Sequence, residues 1–279
     1  MLAYRHQFHA GNFADVMKHA LLARLLVGLS RKDAPYCYVD THAGLGRYDL
    51  SHPWSQKNAE HASGVAQVWQ RSDAPAELSA WLDIVRAMNP NGRLEHYPGS
   101  PEIAQRLRRA ADRMVLSELN PTDHAALKAN MAGVRGVSVI LQDGYKTLSS
   151  HLPPAERRGL VLLDSSFDRA GEFTRLVQAV RLAHERFATG VMAVWYPLMD
   201  PSAMRRFERS LHDSGVRRIL LLELSVHPED WRESLRGCGL IVINPPYGFD
   251  REARGLLAWL ATALAPDAGS SRVQWLVSE

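Results

Sequence analysis

The sequence predicts an α/β protein built on a mostly parallel sheet of seven or eight strands. Its 279 residues are 46% hydrophobic, which is enough apolar material for the core of one large domain. Apolar runs rich in Val, Ile, Leu and Tyr alternate along the chain with segments of helical periodicity. Runs that are apolar throughout, instead of at every second residue, indicate strands that helices cover on both faces.

Each strand is predicted from one such run. The runs are 35–44, 114–120, 137–144, 159–166, 190–197, 217–225, 239–246 and 272–278. The first four runs carry an acidic side chain near their ends: Asp40, Glu118, Asp143 and Asp164. Because ligands of open parallel sheets bind beyond the carboxyl ends of the strands, we expect these carboxylates to lie at one site.

The connection between the first two strands is unusually long, and we expect residues 47–97 to form an inserted helical subdomain within a single domain spanning 1–279. Apolar residues recur at helical spacing in 60–72 and 75–89. A further helix is predicted to follow Ser100, with this serine as its N-cap and proline at its first position.

Composition narrows the class of protein. The net charge is only +3, but arginines cluster at 106–113, 205–209 and 217–218. Such clusters are expected of a protein that binds a phosphate backbone, but they are more often ordinary solvated helix faces. The two cysteines, Cys37 and Cys238, are expected to be core thiols in a reducing compartment. No basic-then-apolar leader or long uninterrupted apolar run is present, so we expect a soluble, cytoplasmic protein without a membrane partner.

The turn after the first strand, VDTHAGLGRY, has features of a ligand-binding turn. Gly44 and Gly46 permit close approach of backbone to a ligand, and Glu118 at the next strand end suits a ribose diol. Asp143, followed by Gly144, is placed to accept from an adenine amine, although an Asp-Gly pair also marks an ordinary turn. The third glycine of a dinucleotide motif and a phosphate-binding P-loop are both missing. An adenosyl ligand without a pyrophosphate, such as S-adenosylmethionine, therefore fits best.

Two stretches are candidates for methylating an exocyclic amine, LVLLDSSFD at 160–168 and VINPPYG at 242–248. The chemistry needs acceptors for both amine N–H groups, which Asp164 and the carbonyl of Ser165 would supply, and an aromatic face for the base, which Phe167 would supply. The strand before Asn244 follows its predecessor after a short connection that favours a hairpin. That hairpin places Asn244 at the far edge, so the sequence favours Asp164.

The amino-terminal stretch is rich in cationic and histidine side chains, including His6, His9, Lys18 and His19. His6 and His9 have the spacing of half a metal site, but no further ligand lies in the segment, so no metal is predicted. The density of these side chains before a helix at 14–29 indicates a segment that folds over the site, closing on a cofactor or nucleic acid.

The motifs RHQFHAGNFADVMKH, YVDTHAGLGRY, HYPGSP, LSELNP, QDGY, RRGLVLLD, FATGVMAVWYP and IVINPPY occur together and in order. The chain thereby resembles, over essentially its whole length, the RlmJ family of bacterial 23S ribosomal RNA adenine-N6 methyltransferases. The resemblance implies a Rossmann-like class I fold that uses S-adenosylmethionine and acts as a monomer on one adenosine of 23S rRNA.

The resemblance also assigns site residues. The family's catalytic acid falls on Asp164 and its substrate-gating tyrosine on Tyr4, while Lys18 belongs to the same amino-terminal motif and is expected to contact cofactor or RNA. Its cofactor-binding positions fall on His19, His42, Ser100, Glu118, Asp143 and Gly144.

The chain departs from the family at the catalytic tetrapeptide. Asp-Pro-Pro-Tyr of the family is replaced by Asp164-Ser165-Ser166-Phe167, which removes two fixed φ angles and the tyrosine hydroxyl. A less preorganised loop is expected to lower the rate or to redirect it. Two alternatives therefore stay open: an RNA-binding protein of this fold that has lost catalysis, and a methyltransferase for another amine, such as DNA adenine or protein glutamine.

Overall fold

The computed structural model describes residues 5–168 and 170–278. Ten strands are present in these two ranges. They are β1 (Cys37–Asp40), β2 (Arg47–Asp49), β3 (His96–Pro98), β4 (Arg113–Glu118), β5 (Val137–Leu141), β6 (Gly159–Leu163), β7 (Val191–Pro197), β8 (Ile219–Ser225), β9 (Gly237–Ile243) and β10 (Ser270–Val277).

The main sheet has eight strands within the described residues, in the order β10-β8-β9-β7-β6-β1-β4-β5. β1 pairs in parallel with β4 on one side and with β6 on the other. The chain therefore winds from β1 through β4 to β5, then crosses to β6, which makes β1 the switch point of a doubly wound sheet. β9 runs antiparallel to both β7 and β8. The predicted mostly parallel, Rossmann-like sheet, its eight strands and the antiparallel strand before Asn244 are confirmed.

Helices cover both faces of this sheet. In the described part of the chain they are α1 (Phe13–Ser30), α2 (Pro53–Asn58), α3 (Ser79–Met88), α4 (Ser100–Leu107), α5 (Pro121–Asn130), α6 (Gly144–His151), α7 (Glu172–Arg186), α8 (Pro201–His212) and α9 (Phe249–Leu264). One apolar cluster lies on each face. α1 packs against α3, α4 and α9, and it is apolar nearly all round because it is buried on most sides. None of the described helices is both long and apolar enough to cross a bilayer.

The segment 47–97 opens and closes with β2 and β3, which form an antiparallel ribbon. The helix predicted over 60–72 is wrong, since short 3-10 turns occupy Glu60–Ala62 and Val65–Gln67. Gly64 separates the two turns because its backbone lies directly against that of Gly11 and Asn12, where any side chain would collide. That the segment behaves as a subdomain of its own stays a prediction.

The start of α4 differs in one detail from the sequence-based expectation. Proline stands in its first turn as predicted, but the N-cap is Gly99, and no side chain caps the helix. The hydroxyl of Ser100 instead donates to Asp40 Oδ2 at 2.7 Å. The serine therefore ties the helix to the end of β1.

Candidate active site

A cavity of about 580 Å³ opens at the carboxyl ends of the parallel strands. Its wall is built from the ends of β1, β4, β5 and β6, from α1 and from the segment before α1. It lies at the switch point of the sheet, where ligands of such folds bind. Its volume is in the range of sites that hold a cofactor or a small ligand.

The end of the cavity over β1 and β4 is shaped by a carboxylate that backbone N–H groups hold in place. Gly44 N–H donates to Glu118 Oε2 at 2.9 Å, and Asn120 N–H donates to Oε1 at 2.7 Å. Burial raises the pKa of Glu118, against the opposing effect of these two donors. Gly44 adopts φ +60, and a Cβ there would collide with the Tyr48 hydroxyl. The turn thus needs glycine and brings backbone to the cavity surface.

Asp143 and Gly144 line the cavity beside this turn. Asp143 caps α6 by accepting from Tyr145 N–H at 2.9 Å, so the turn role and the cavity position coincide. Gly144 lies against the carbonyl of Thr41, with no room for a Cβ. The Asp143 and Glu118 carboxylates together with the glycine backbone form a set of acceptors and close surfaces that fits an adenosyl ligand.

A second wall next to Asp143 joins the predicted His42 to Tyr145, Glu172 and Arg175, which were not predicted from the sequence. His42 lines the cavity, and burial lowers its pKa. The Tyr145 ring meets His42 edge-on at 5.6 Å, and the Arg175 guanidinium lies 4.4 Å from the Tyr145 ring centre. The Tyr145 hydroxyl is hydrogen-bonded to Glu172. These contacts link the four side chains into one polar and aromatic wall at the start of α7.

The opposite end of the cavity is organised by a buried lysine. Lys18, on α1, donates from Nζ to Asp164 Oδ2 at 2.6 Å and lies 2.9 Å from Asp15 Oδ1. Asp15 Oδ2 accepts from Gly11 N–H at 2.9 Å and lies 2.9 Å from His6 Nε2. Lys18 is 4% exposed and Asp15 is 1% exposed, so this network is shielded from water.

Electrostatic interactions keep both Lys18 and Asp15 charged in this network. Burial by itself lowers the pKa of Lys18, but the carboxylates of Asp15 and Asp164 outweigh it and hold that pKa well above its usual value. Burial likewise raises the pKa of Asp15, but His6 and Lys18 outweigh it, and the pKa is well below normal. Lys18 is therefore a fixed cation that orients the carboxylate of Asp164.

His19 and Ser100 also reach the cavity. His19 lies 2.9 Å from the Tyr97 hydroxyl through Nδ1, and burial lowers its pKa well below the usual value.

Asp40, by contrast, was expected at the site and does not line it. It is fully buried, accepts from Tyr38 and Ser100 hydroxyls at 2.7 Å, and burial raises its pKa to about 6. Asp40 therefore lies behind the cavity wall and holds the cavity-lining Ser100 in place.

Two other predicted site residues, Phe167 and Gly46, do not line the cavity. Phe167 lies outside the cavity wall, with φ +55 and its ring edge-on to Phe173 at 5.0 Å and Trp195 at 5.8 Å, because the apolar cluster beside β7 takes up the ring. Gly46 also lies outside the wall and serves the packing of α5, since a Cβ there would stand 3.0 Å from Leu127. Ser165 is buried and lines the cavity. Tyr4 lies outside the described residues.

The VINPPYG stretch lies away from this cavity. Asn244 follows β9, which ends at the opposite edge of the sheet from Asp164. It adopts φ +52, and its Nδ2 donates to the carbonyls of Ala188 and Gly190 at 2.8 and 3.0 Å. Asn244 therefore holds a turn together, as the sequence predicts.

The histidines of the amino-terminal stretch contact carboxylates. His9 Nδ1 lies 2.9 Å from Glu60 Oε1, and Asn12 Nδ2 donates to Glu60 Oε2 at 3.0 Å. These contacts join the amino-terminal stretch to the 47–97 segment across the cavity rim, and all three side chains line the cavity. Among the residues that the structure describes, no trio of His, Cys, Asp or Glu side chains is arranged to hold a metal ion.

Comparison with known proteins identifies the family. A family model described as "Ribosomal RNA large subunit methyltransferase D, RlmJ" matches residues 33–277. The "Ribosomal RNA large subunit methyltransferase J" proteins of Escherichia coli K12 and Haemophilus influenzae are 40% and 37% identical over 280 and 281 residues, covering all of each chain. The crystal structure of protein LPL1258 from Legionella pneumophila superposes with a TM-score of 0.90 and 36% identity, covering 96% of this chain and 98% of that one. The chain therefore belongs to the RlmJ family and is an S-adenosylmethionine-dependent ribosomal RNA methyltransferase.

Proposed function

We propose that this enzyme methylates N6 of one adenosine in 23S rRNA, and that it does so as a monomer in the cytoplasm. One observation carries the proposal: the Asp164 carboxylate faces the same cavity as Glu118 and Gly44 and is gripped by the buried Lys18 at 2.6 Å. Asp164, an acceptor for an exocyclic amine, thus lies in the same cavity as Glu118 and Gly44, which fit an adenosyl ligand.

The proposal gives each end of the cavity its own task. Glu118 accepts hydrogen bonds from the ribose hydroxyls of the cofactor, and Asp143 accepts from its adenine amine. His19, His42, Ser100 and Gly144 complete the walls of this part of the cavity. When bound there, S-adenosylmethionine supplies an electrophilic methyl group.

The other end orients the target amine. The lone pair of N6 is delocalised into the adenine ring, so both N–H groups must be bonded for the nitrogen to become pyramidal. Asp164 accepts from one N–H and the carbonyl of Ser165 from the other. As N6 gains the methyl group it releases one proton, which the Asp164 carboxylate passes to water. Lys18 contributes by fixing the carboxylate.

The serines at 165 and 166 bear on rate. The buried Ser165 and its neighbour line the cavity, but neither fixes φ as proline does. Phe167 is turned towards Phe173 and Trp195. This placement favours an enzyme that still binds RNA but transfers the methyl group more slowly than an enzyme with Asp-Pro-Pro-Tyr. Ser165→Pro with Ser166→Pro should raise the rate.

The test is methyl transfer from labelled cofactor to 23S rRNA, assembled large subunits, DNA and total protein, with nucleoside digestion and mass analysis. We expect N6-methyladenosine in rRNA. Asp164→Ala should lose at least about 100-fold in rate, since it removes a positioned acceptor, with cofactor affinity within about twofold. Asp267→Ala, which changes an exposed carboxylate after α9, serves as the matched control. Label in DNA or protein alone, or full activity of Asp164→Ala, would contradict the proposal.

A further inference from the structure

The cavity has a wall that the proposed chemistry does not use, formed by the loop 226–236 between β8 and β9. His227, Ser234 and Leu235 of this loop line the cavity. β7 and β9 separate β8 from β6 in the sheet. At about 4.8 Å per strand, the two ends of the loop leave the sheet roughly 10 and 14 Å from the strand that leads to Asp164. The loop therefore lies beyond the Asp164 end of the cavity, on the side away from β1 and β4, where RNA that flanks a base bound at Asp164 could be contacted.

This loop presents a preformed aromatic stack. The rings of His227 and Trp231 are 4.2 Å apart and only 12° from parallel. Trp231 Nε1 donates to Ser234 Oγ at 3.0 Å, and its backbone N–H donates to the carbonyl of Pro228 at 3.1 Å. The backbone N–H of His227 donates to Arg236 at 3.2 Å. Hydrogen bonds from both ends of the stack fix it before any ligand arrives.

The stack is not part of the apolar core. Both rings are half-buried, and Trp231 belongs to neither core cluster. A partly exposed tryptophan that is stacked on the cavity-lining His227 can serve as a platform for an unpaired base. The loop is not a positive patch, since the exposed Arg232 stands among the exposed acids Glu229, Asp230 and Glu233. The match to single-stranded RNA therefore comes from the flat, parallel rings, which suit the face of an unpaired base, and not from charge.

The position of Phe167 adds to this argument. A base removed from its helix loses stacking on both faces and needs replacement surfaces. The aromatic ring of the catalytic tetrapeptide is directed into the apolar cluster, so the chain must supply stacking surfaces for the RNA from other elements. We infer that the His227–Trp231 stack receives an unpaired base that flanks the target adenosine. This inference rests on the proposed function, since it concerns the RNA of the same site.

The test compares Trp231→Ala and His227→Ala with the wild-type enzyme on an rRNA fragment that contains the target. RNA affinity, read by fluorescence anisotropy, should fall about 5- to 100-fold, the usual range for loss of one base–aromatic stack. Cofactor affinity and kcat at saturating RNA should change less than about threefold, because the loop joins β8 and β9, two to three strands from the strand that leads to Asp164 and farther still from β1 and β4. Trp231→Phe should recover most of the affinity. Trp275→Ala is the matched control, since Trp275 is 38% exposed on the edge strand β10.

A second readout locates the base. 2-Aminopurine placed at flanking positions of the fragment should be quenched on binding to the wild-type enzyme at one position, and not by Trp231→Ala. Unchanged RNA affinity in both alanine variants would overturn the inference, and so would joint loss of RNA and cofactor binding, which would make the loop a structural support. Failure of the proposed function looks different: the wild-type enzyme would bind the RNA and quench the probe, but no N6-methyladenosine would be found.

Discussion

The two ends of the cavity position their carboxylates by different means. At the end proposed to hold the cofactor (the cofactor end), Glu118 is held by two backbone N–H groups, at 2.9 and 2.7 Å. At the end proposed for methyl transfer (the catalytic end), Asp164 is held by the side chain of Lys18, which is itself held by Asp15. Backbone donors keep their geometry as long as the turn exists, whereas a side-chain network depends on every member. We therefore expect the cofactor end to tolerate substitution better than the catalytic end.

The free-energy cost of burying charged side chains increases this difference between the two ends of the cavity. Taking charges out of water is unfavourable, and only good geometry with full hydrogen bonding compensates for it. Lys18 lies between two carboxylates, and its pKa is held well above the usual value against the effect of burial. Removal of one member leaves an uncompensated buried charge, so activity and stability are coupled at this end.

The largest effect is expected for Lys18→Met. This change removes the lysine from the buried Asp15 and leaves it with its His6 contact, which should lower the free energy of unfolding by about 3–5 kcal/mol. It also releases Asp164, so kcat should fall on the order of 100-fold. Cofactor affinity should change less than about threefold, since Lys18 does not contact the groups at the cofactor end. Denaturant titration, methyl-transfer kinetics and cofactor titration measure the three quantities.

A double variant separates stability from catalysis. Lys18→Met combined with Asp15→Asn removes the uncompensated charge, so it should recover much of the stability but little of the rate. Lys32→Met, which alters an exposed lysine after α1, should change neither. Recovery of rate along with stability in the double variant would show that Lys18 acts only through folding.

The same contrast explains how far the sequence could predict the molecule. Continuous apolar runs predict all eight strands of the main sheet, and the short connection before β9 predicts its antiparallel direction. These features follow from local composition and connection length. The expected helix over 60–72 fails because Gly64 is packed against the backbone of residues distant in sequence, Gly11 and Asn12. Periodicity carries no information about that contact.

For the site, the sequence places Glu118, Asp143 and Asp164 at one cavity because strand ends meet at one edge of the sheet. It does not show which way a side chain turns: Asp40 and Phe167 have suitable positions in sequence, but one is fully buried and the other joins an apolar cluster. Asp15 could have been found, since it lies three residues before Lys18 on the same helix face. His227 could not, because nothing local marks its loop as part of the wall.

A smaller effect is expected at the cofactor end. Glu118→Gln keeps one acceptor but loses the charge and one backbone contact, so cofactor affinity should fall about tenfold, or ~1.4 kcal/mol. The kcat at saturating cofactor should stay within about threefold. Glu95→Gln, at an exposed position before β3, is the matched control. A loss of kcat as large as that of Lys18→Met, with affinity intact, would remove the distinction between the two ends.

The pH dependence follows from the same carboxylate. Burial raises the pKa of Glu118 above its usual value of 4.5, and in the proposed role the ionised form accepts from the ribose. Cofactor affinity should therefore decline as the pH falls through this raised pKa, at a higher pH than for an ordinary glutamate. Linkage runs the other way for folding: the contribution of this group to stability is complete below its unfolded pKa and is lost as the pH rises through the folded one. The decline in affinity should be absent in Glu118→Gln.

The smallest effect on activity is expected for Phe167→Leu, which tests whether the tetrapeptide ring belongs to the catalytic end. In the structure that ring packs on Phe173 and Trp195, so its loss should lower the free energy of unfolding by about 1 kcal/mol while kcat/KM changes less than about threefold. A ring that stacked on the target base would give the opposite pattern, with stability kept and kcat/KM reduced by about 5- to 100-fold. Phe173→Leu, in the same apolar cluster, is the control for packing alone. If the two leucine variants lose stability alike and both keep their activity, the catalytic end consists of Asp164, Lys18 and their buried partners, and the target base must find its stacking surface on another element.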